Sequence, residues 1–305
     1  MAAILQNTIH LGLVLALPPL LPGVIGKTKA LFGGRVGPPL LQSYYDLAKL
    51  MRKGSVFSPT TTWLFRAGPV AGLTTAAMAA LLIPLATPGA PVSFAGDLIL
   101  LAYLFALGRF FTTLAALDTG SAFEGMGAAR EVTFACLAEP ALFLGLLVLA
   151  KLSGSLQLAD MLGAALGGHW LTAGAALGLV LLSWFVVLLA ENCRIPFDDP
   201  NTHLELTMIH EVMVLDHSGS GLAMILYGAA IKLFVFAALI VRLACPLPAD
   251  APWLAWPLFA AAMLGVAVVI GVVESIMARL RLLDVPTLLF AACMLSAFGF
   301  VLVVR

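Results

Sequence analysis

The sequence predicts an all-α integral membrane protein of about eight transmembrane helices with one amphipathic helix on the cytoplasmic surface. Three observations lead there. Of 305 residues, 62% are hydrophobic and 10% are charged, where soluble domains carry roughly 25% charged residues. Mean hydropathy is +1.06. Apolar runs long enough to cross a bilayer recur from end to end, separated by short connections, so residues 1–305 read as a single polytopic membrane domain.

The runs place spans at Ile4–Ile25, Ala67–Ala86, Asp97–Leu117, Val132–Leu152, Leu171–Ala190, Gly221–Leu243, Trp253–Met277 and Val285–Val304. The first is read as a span and not as a signal peptide. No Lys or Arg precedes Lys27, and Pro18, Pro19 and Pro22 interrupt its second half. Trp63, Trp170, Trp253 and Trp256 fall at span ends, where interfacial anchors are expected.

Charge sets the orientation. Odd-numbered connections carry eleven basic residues, among them Lys27, Lys29, Arg35, Lys49, Arg66, Arg130, Arg194 and Arg279; the even ones and the termini carry Lys151, Arg242 and Arg305. The positive-inside rule then puts loops 1, 3, 5 and 7 in the cytoplasm and both termini outside. With 16 basic against 16 acidic residues, the chain lacks the basic surface that a nucleic-acid partner requires. In loop 1, Pro38 and Pro39 precede a stripe of Leu40, Leu41, Tyr44, Leu47, Ala48 and Met51, with Gln42, Asp46 and Lys49 between them. That pattern reads as an interfacial amphipathic helix. The even-numbered connections read as short turns or weakly amphipathic links, such as Ser153 to Trp170.

Ionisable side chains at membrane depth are costly and therefore informative. Three fall inside spans: Arg109, Glu139 and Lys232. Arg109 and Glu139 each lie about 12 Å in from the cytoplasmic ends of their helices, at matching depth, as a pair would. Lys232, roughly 16 Å in, needs its own partner or water. Glu139 precedes Pro140, which frees a helix carbonyl. Glu131, Glu191 and Glu274 gather at cytoplasmic span ends, where they could feed a proton path through these groups.

The densest polar stretch is the fifth connection, ENCRIPFDDPNTHLELTMIHEVMVLDHSG, with three of the five histidines and the acids Glu191, Asp198, Asp199, Glu205, Glu211 and Asp216. Residues Leu204 to Leu215 are helix-compatible after the turn at Asp199 to Thr202. His203, His210 and His217 recur every seven residues, about 10 Å per step, too far apart to share a metal. The four cysteines form no C-x-x-C pair and read as packing residues, and His210-Glu211 lacks the second histidine of a zincin motif, so no metal is expected. No P-loop, dinucleotide fingerprint or nucleophile elbow supports an autonomous enzyme.

Three stretches carry a family resemblance: GRVGPPLLQSYYDLAKLMRKG (Gly34 to Gly54), LDTGSAFEGMGAARE (Leu117 to Glu131) and the fifth connection. In order and over most of the chain they resemble the cytoplasmic-loop signatures of the complex I subunit 1 family, shared with the membrane subunit of group 4 [NiFe]-hydrogenase and formate hydrogenlyase-type complexes. The resemblance implies a non-catalytic inner-membrane subunit of an oxidoreductase complex that docks a hydrophilic redox arm and couples it to proton or sodium translocation. It implies hydrogenase-like large and small subunits and antiporter-like membrane subunits as partners. Nickel–iron and iron–sulfur centres then belong to those partners, with no cofactor in this chain.

The same resemblance puts the coupling acids at Glu139, Glu191, Glu205, Glu211 and Asp216. The arm-docking surface falls on Arg35, Gln42, Asp46, Lys49, Asp118, Glu124, Arg130, Arg194, Asp198, Asp199, His203 and His210. Where quinone-reducing members and the enterobacterial formate hydrogenlyase branch have an acid-rich E-A-E-x-E-L segment and an E-Y-S-G ending, this chain has DPNTHLELTMIHEVMVLDHSG, more similar to energy-converting hydrogenases. Two other readings stay open: a quinone-site subunit of an NADH-quinone oxidoreductase-like complex, and a stand-alone secondary ion transporter.

Overall fold

The computed structural model describes residues 2–163, 165–198, 208–247 and 252–304. Among them the chain is helical, in the order α1 (Ala2–Ala16), α2 (Leu20–Phe32), α3 (Gln42–Met51), α4 (Trp63–Leu82), α5 (Asp97–Asp118), α6 (Ala122–Ser153), α7 (Leu158–Met161), α8 (Leu166–Glu191), α9 (Gly219–Ala244), α10 (Pro252–Ile276) and α11 (Val285–Val304), with a 3-10 turn at Glu211–Val214. Seven helices are individually long and apolar enough to span a membrane, and the pair α1 and α2 passes the same test jointly. The all-α, multi-span expectation holds, since intrahelical bonding is the way a lone segment satisfies its backbone in lipid.

Several boundaries differ from expectation. The first span is broken: α1 and α2 meet at 48°, and α2 runs on to Phe32. Pro18 and Pro19 sit at the break, where each removes a backbone donor. The α6 helix starts ten residues before the predicted Val132, so most of the expected third loop, including Glu124, Arg130 and Glu131, is helix. At 32 residues it is about 48 Å long, more than the ~30 Å hydrocarbon layer, so it is longer than one crossing needs. The α8 helix begins at Leu166, with a kink at Ala173. The link before it holds α7, with Leu158, Met161 and Leu162 buried, and is a packed plug more than a surface link.

The helix proposed for Leu204 to Leu215 is not found over its described part: only the 3-10 turn forms after His210. Tertiary partners take the backbone groups that a helix would use. Ile209 N–H donates to the Asp198 carboxylate at 2.9 Å, and the Met208 carbonyl accepts from Arg130 at 2.8 Å. Of the tryptophans, Trp63 and Trp253 are exposed as anchors should be, but Trp256 is buried and Trp170 donates inward to the Leu243 carbonyl.

The α9 helix forms the axis of the bundle, with 67% of its apolar span buried against 22–44% for the other spans. It packs on α4, α8 and α10 and under α3; α4 also packs on α5, α11 on α6 and α8, and α2 on α10. Gly145 lets α6 approach α8, since a side chain there would enter the Trp184 indole. The amphipathic helix is present as α3, with Met51 exposed at its end and Leu40 and Leu41 exposed just before its start.

Two ends can be told apart. At one, Asp97 accepts from the Leu158 N–H and Arg242 donates to the Leu162 carbonyl, pinning the α7 plug. At the other, the Gly33 to Thr62 connection, the fifth connection and the α10–α11 turn interlock: Ser55 meets Ser218 and Ser220, and Arg279 lies 2.7 Å from Asp198. The charged groups singled out above gather there.

Candidate functional site

The centre of the charged end is the Arg109 guanidinium, brought in on α5. Its Nη2 donates to both oxygens of Glu191 on α8, at 2.7 and 2.8 Å, and its Nη1 donates to Glu139 on α6. Its Nε lies 3.5 Å from Glu131, two helical turns before Glu139 on the same helix. Glu191 then reaches Lys232 on α9 at 2.8 Å. Three carboxylates and two cations thus form one branched chain across four helices.

This arrangement follows from local structure. Each residue sits where its helix faces the bundle, and the exposure of the side chains falls from 38% for Glu139 to 10% for Arg109 and 6% for Glu191. A buried charge persists only when paired, and here the two most buried members have several partners, three acids for Arg109 and two cations for Glu191. Arginine suits the hub because its planar fork can face three acids at once. Pro140, one residue after Glu139, removes the donor that the Cys136 carbonyl would otherwise accept from.

Beside this chain lies a small cavity lined by Glu131, Glu191, Cys193, Phe134, Phe197 and Ile209. Its free volume of about 20 Å³ holds roughly one water. A water there would touch two of the carboxylates and join the ion chain to the fifth connection.

A second cluster closes the same end. Glu274 on α10 lies 2.8 Å from Lys29 on α2 and 3.6 Å from Arg194 in the fifth connection. Asp198 is held between Arg279 and the Ile209 N–H. Gly127 on α6 lets the 3-10 turn seat, since any side chain there would meet Val212.

The structure sorts the remaining sequence-selected residues. Arg35 and Lys49 are exposed, and Gln42 donates to Asp46 within α3 at 2.9 Å. Asp118 caps α4, accepting from Thr62 N–H, Thr62 Oγ1 and Phe65 N–H at 2.6, 2.8 and 3.2 Å. Glu124 is buried at 2% exposure, and the half-buried Arg130 donates to the Met208 carbonyl. Glu211 is half-buried in the 3-10 turn and Asp216 is exposed. Asp199, His203 and Glu205 lie outside the described residues.

Sequence reasoning left Lys232 without a partner and did not link Glu131 to Cys193 and His210. In the fold, one ligand-type atom from each of those three residues lies within 4.8 Å of the other two. His217, seven residues after His210, stacks on Phe65, ring centroids 3.9 Å apart. Burial there pulls its pKa down to about 4.

Comparison with known proteins agrees with this architecture. The sequence profile described as NADH dehydrogenase matches residues 6–305. The chain belongs to the NADH dehydrogenase subunit 1 family. It is 33% identical to formate hydrogenlyase subunit 4 of Escherichia coli (strain K12) over 98% of this chain and 96% of that one. It is 37% identical to hydrogenase-4 component C of the same organism, over 77% and 73%. An NADH-quinone oxidoreductase subunit of Rubrobacter xylanophilus is 38% identical over 56% and 53%.

The fold of this family member is shared by a chain in the membrane-bound sulfane sulfur reductase, an archaeal respiratory membrane complex. The TM-score is 0.84 at 19% identity, covering 99% of this chain and 100% of that one. The sequence expectation that the fifth connection sets this chain apart from the formate hydrogenlyase branch stands beside a likeness to formate hydrogenlyase subunit 4 over 98% of the chain.

Proposed function

We propose that this chain is the membrane subunit of a group 4 hydrogenase-type, complex I-related energy-converting complex. It docks the hydrophilic redox arm at its charged end and couples electron transfer there to proton or sodium translocation. The observation that carries the reading is the unbroken chain Glu139–Arg109–Glu191–Lys232, branched to Glu131, that runs from the half-exposed flank of α6 to the central helix α9. Such a chain responds to charge at one end by re-pairing along its length. A carboxylate released by one cation becomes a proton acceptor, and its neighbour shifts in turn.

The arm is supplied by hydrogenase-like large and small subunits, whose nickel–iron and iron–sulfur centres carry the electrons. Antiporter-like membrane subunits cover part of the apolar flank, and lipid covers the rest. The charged end faces the cytoplasm and both termini lie on the opposite side, as the basic residues of the odd-numbered connections require. Identity over nearly the full length to formate hydrogenlyase subunit 4 supports the partner set.

The test uses the assembled complex in sealed vesicles. Glu139→Gln, at the half-exposed end of the chain, should leave assembly and redox turnover near the native level and reduce cation uptake per electron at least tenfold. Native uptake in that variant would reduce the ion chain to scaffolding and overturn the reading.

A further inference from the structure

Cys193 occupies an uncommon backbone position. It follows the end of α8 with φ +49°, the left-handed region that glycine usually fills after a helix. The turn is held by Cys193 N–H to the Ala190 carbonyl at 3.1 Å and Arg194 N–H to the Leu189 carbonyl at 2.8 Å. A β-carbon there costs energy that glycine would not, and the conformation aims the side chain back toward α6. There it meets Glu131 from α6 and His210 from the end of the fifth connection, with one oxygen, one sulfur and one nitrogen mutually within 4.8 Å.

We propose that Glu131, Cys193 and His210 form a binding site for a thiophilic divalent cation of the zinc class. One carboxylate, one thiolate and one neutral imidazole balance a dication without residual charge, which matters next to a membrane interior. Ligand atoms around tetrahedral zinc stand about 3.3–3.8 Å apart, so a side-chain closure of about 1 Å completes the set. Glu131 and Cys193 also line the small cavity described above, which has room for one water as a fourth ligand. Three protein ligands and a water is a common arrangement for an accessible zinc.

Binding releases the thiol proton as the sulfur–metal bond forms, so metal uptake at this site is coupled to proton release. Glu131 also faces Arg109 Nε, 3.5 Å away. The cation therefore competes with Arg109 for Glu131, but its binding does not depend on whether the ion chain carries protons.

Zinc itself is the probe. The full-length chain, purified in mild detergent with the subunits that accompany it, is dialysed to equilibrium against buffered zinc. Metal content is read by atomic spectrometry and coordination by zinc K-edge X-ray absorption. The native protein should hold one zinc more than Cys193→Ser or His210→Gln, with one sulfur at about 2.3 Å, while Cys136→Ser should match the native content. Should Cys193→Ser fail to assemble, His210→Gln carries the comparison alone. Equal zinc in the native and variant proteins, or coordination without sulfur, would overturn the site.

Discussion

The Arg109 guanidinium joins α5 to α8 through a single nitrogen that lies 2.7 and 2.8 Å from the two oxygens of Glu191. The same side chain faces Glu139 and Glu131 on α6, so one residue ties three helices. Removing one partner of a buried ion pair typically costs about 3–5 kcal/mol, because the other charge is left uncompensated. Arg109→Met should lower the thermal midpoint of the protein in detergent by far more than Lys232→Met, which strips Glu191 of its second cation only. Arg109→Lys should rescue little, since an ammonium cannot face three acids in one plane. Thermal unfolding of the three variants side by side checks the order; equal losses would argue against a hub at Arg109.

Lys29 and Glu274 tether α2 to α10 at 2.8 Å, and the Glu274 side chain is 1% exposed. Lys29→Met alone leaves that carboxylate with Arg194 at 3.6 Å as its remaining ion-pair partner. The single variant should therefore be less stable than the double variant Lys29→Met/Glu274→Gln, which removes both charges. A double variant whose destabilisation equals the sum of the two singles would show that the pair is not coupled.

Asp118 has a structural role that its place in the sequence did not suggest. In the sequence it belongs to a charged loop signature, and the family resemblance implies arm docking. In the fold its carboxylate accepts from Thr62 N–H, Thr62 Oγ1 and Phe65 N–H, closing the free end of α4. Asp118→Ala should cost about 1 kcal/mol or somewhat more, and Asp118→Asn less, because the amide oxygen can still accept. Stability measured by chemical denaturation, set beside co-purification of partner subunits, separates the roles. Loss of partners at unchanged stability would assign Asp118 to docking.

The apolar spans were legible because twenty-residue hydrophobic runs leave lipid as the one consistent solvent, and the Arg109–Glu139 pairing followed from matching depth. What could not be read depended on long-range partners. Lys232 finds Glu191 across α8 and α9, a meeting set by helix packing and not by spacing. The helical pattern of Leu204 to Leu215 lost over its described part because Asp198 and Arg130 claim the backbone of Ile209 and Met208. Seven-residue histidine spacing ruled out a metal among histidines of one segment. It was silent on Glu131, which α6 carries in from a different segment to meet Cys193 and His210.

His217 provides a pH signature outside the spans. Its ring stacks on Phe65 at 3.9 Å with the planes 9° apart, and burial lowers its pKa from the ordinary 6.5 to about 4. The folded state thus prefers the neutral ring more strongly than the unfolded chain does. Stability from this group is fully present above pH 6.5, falls as pH drops because the unfolded state binds the proton first, and is gone below about pH 4. The full linkage is on the order of 3 kcal/mol. The His217→Phe variant keeps a ring against Phe65 and cannot titrate. The difference in thermal stability between native and variant proteins should therefore change by up to that amount between pH 7 and 4, with the native protein losing ground. The carboxylates that titrate in the same range are common to both proteins and cancel in the difference. A flat difference would mean that His217 is charged, or reachable by water, in the folded protein.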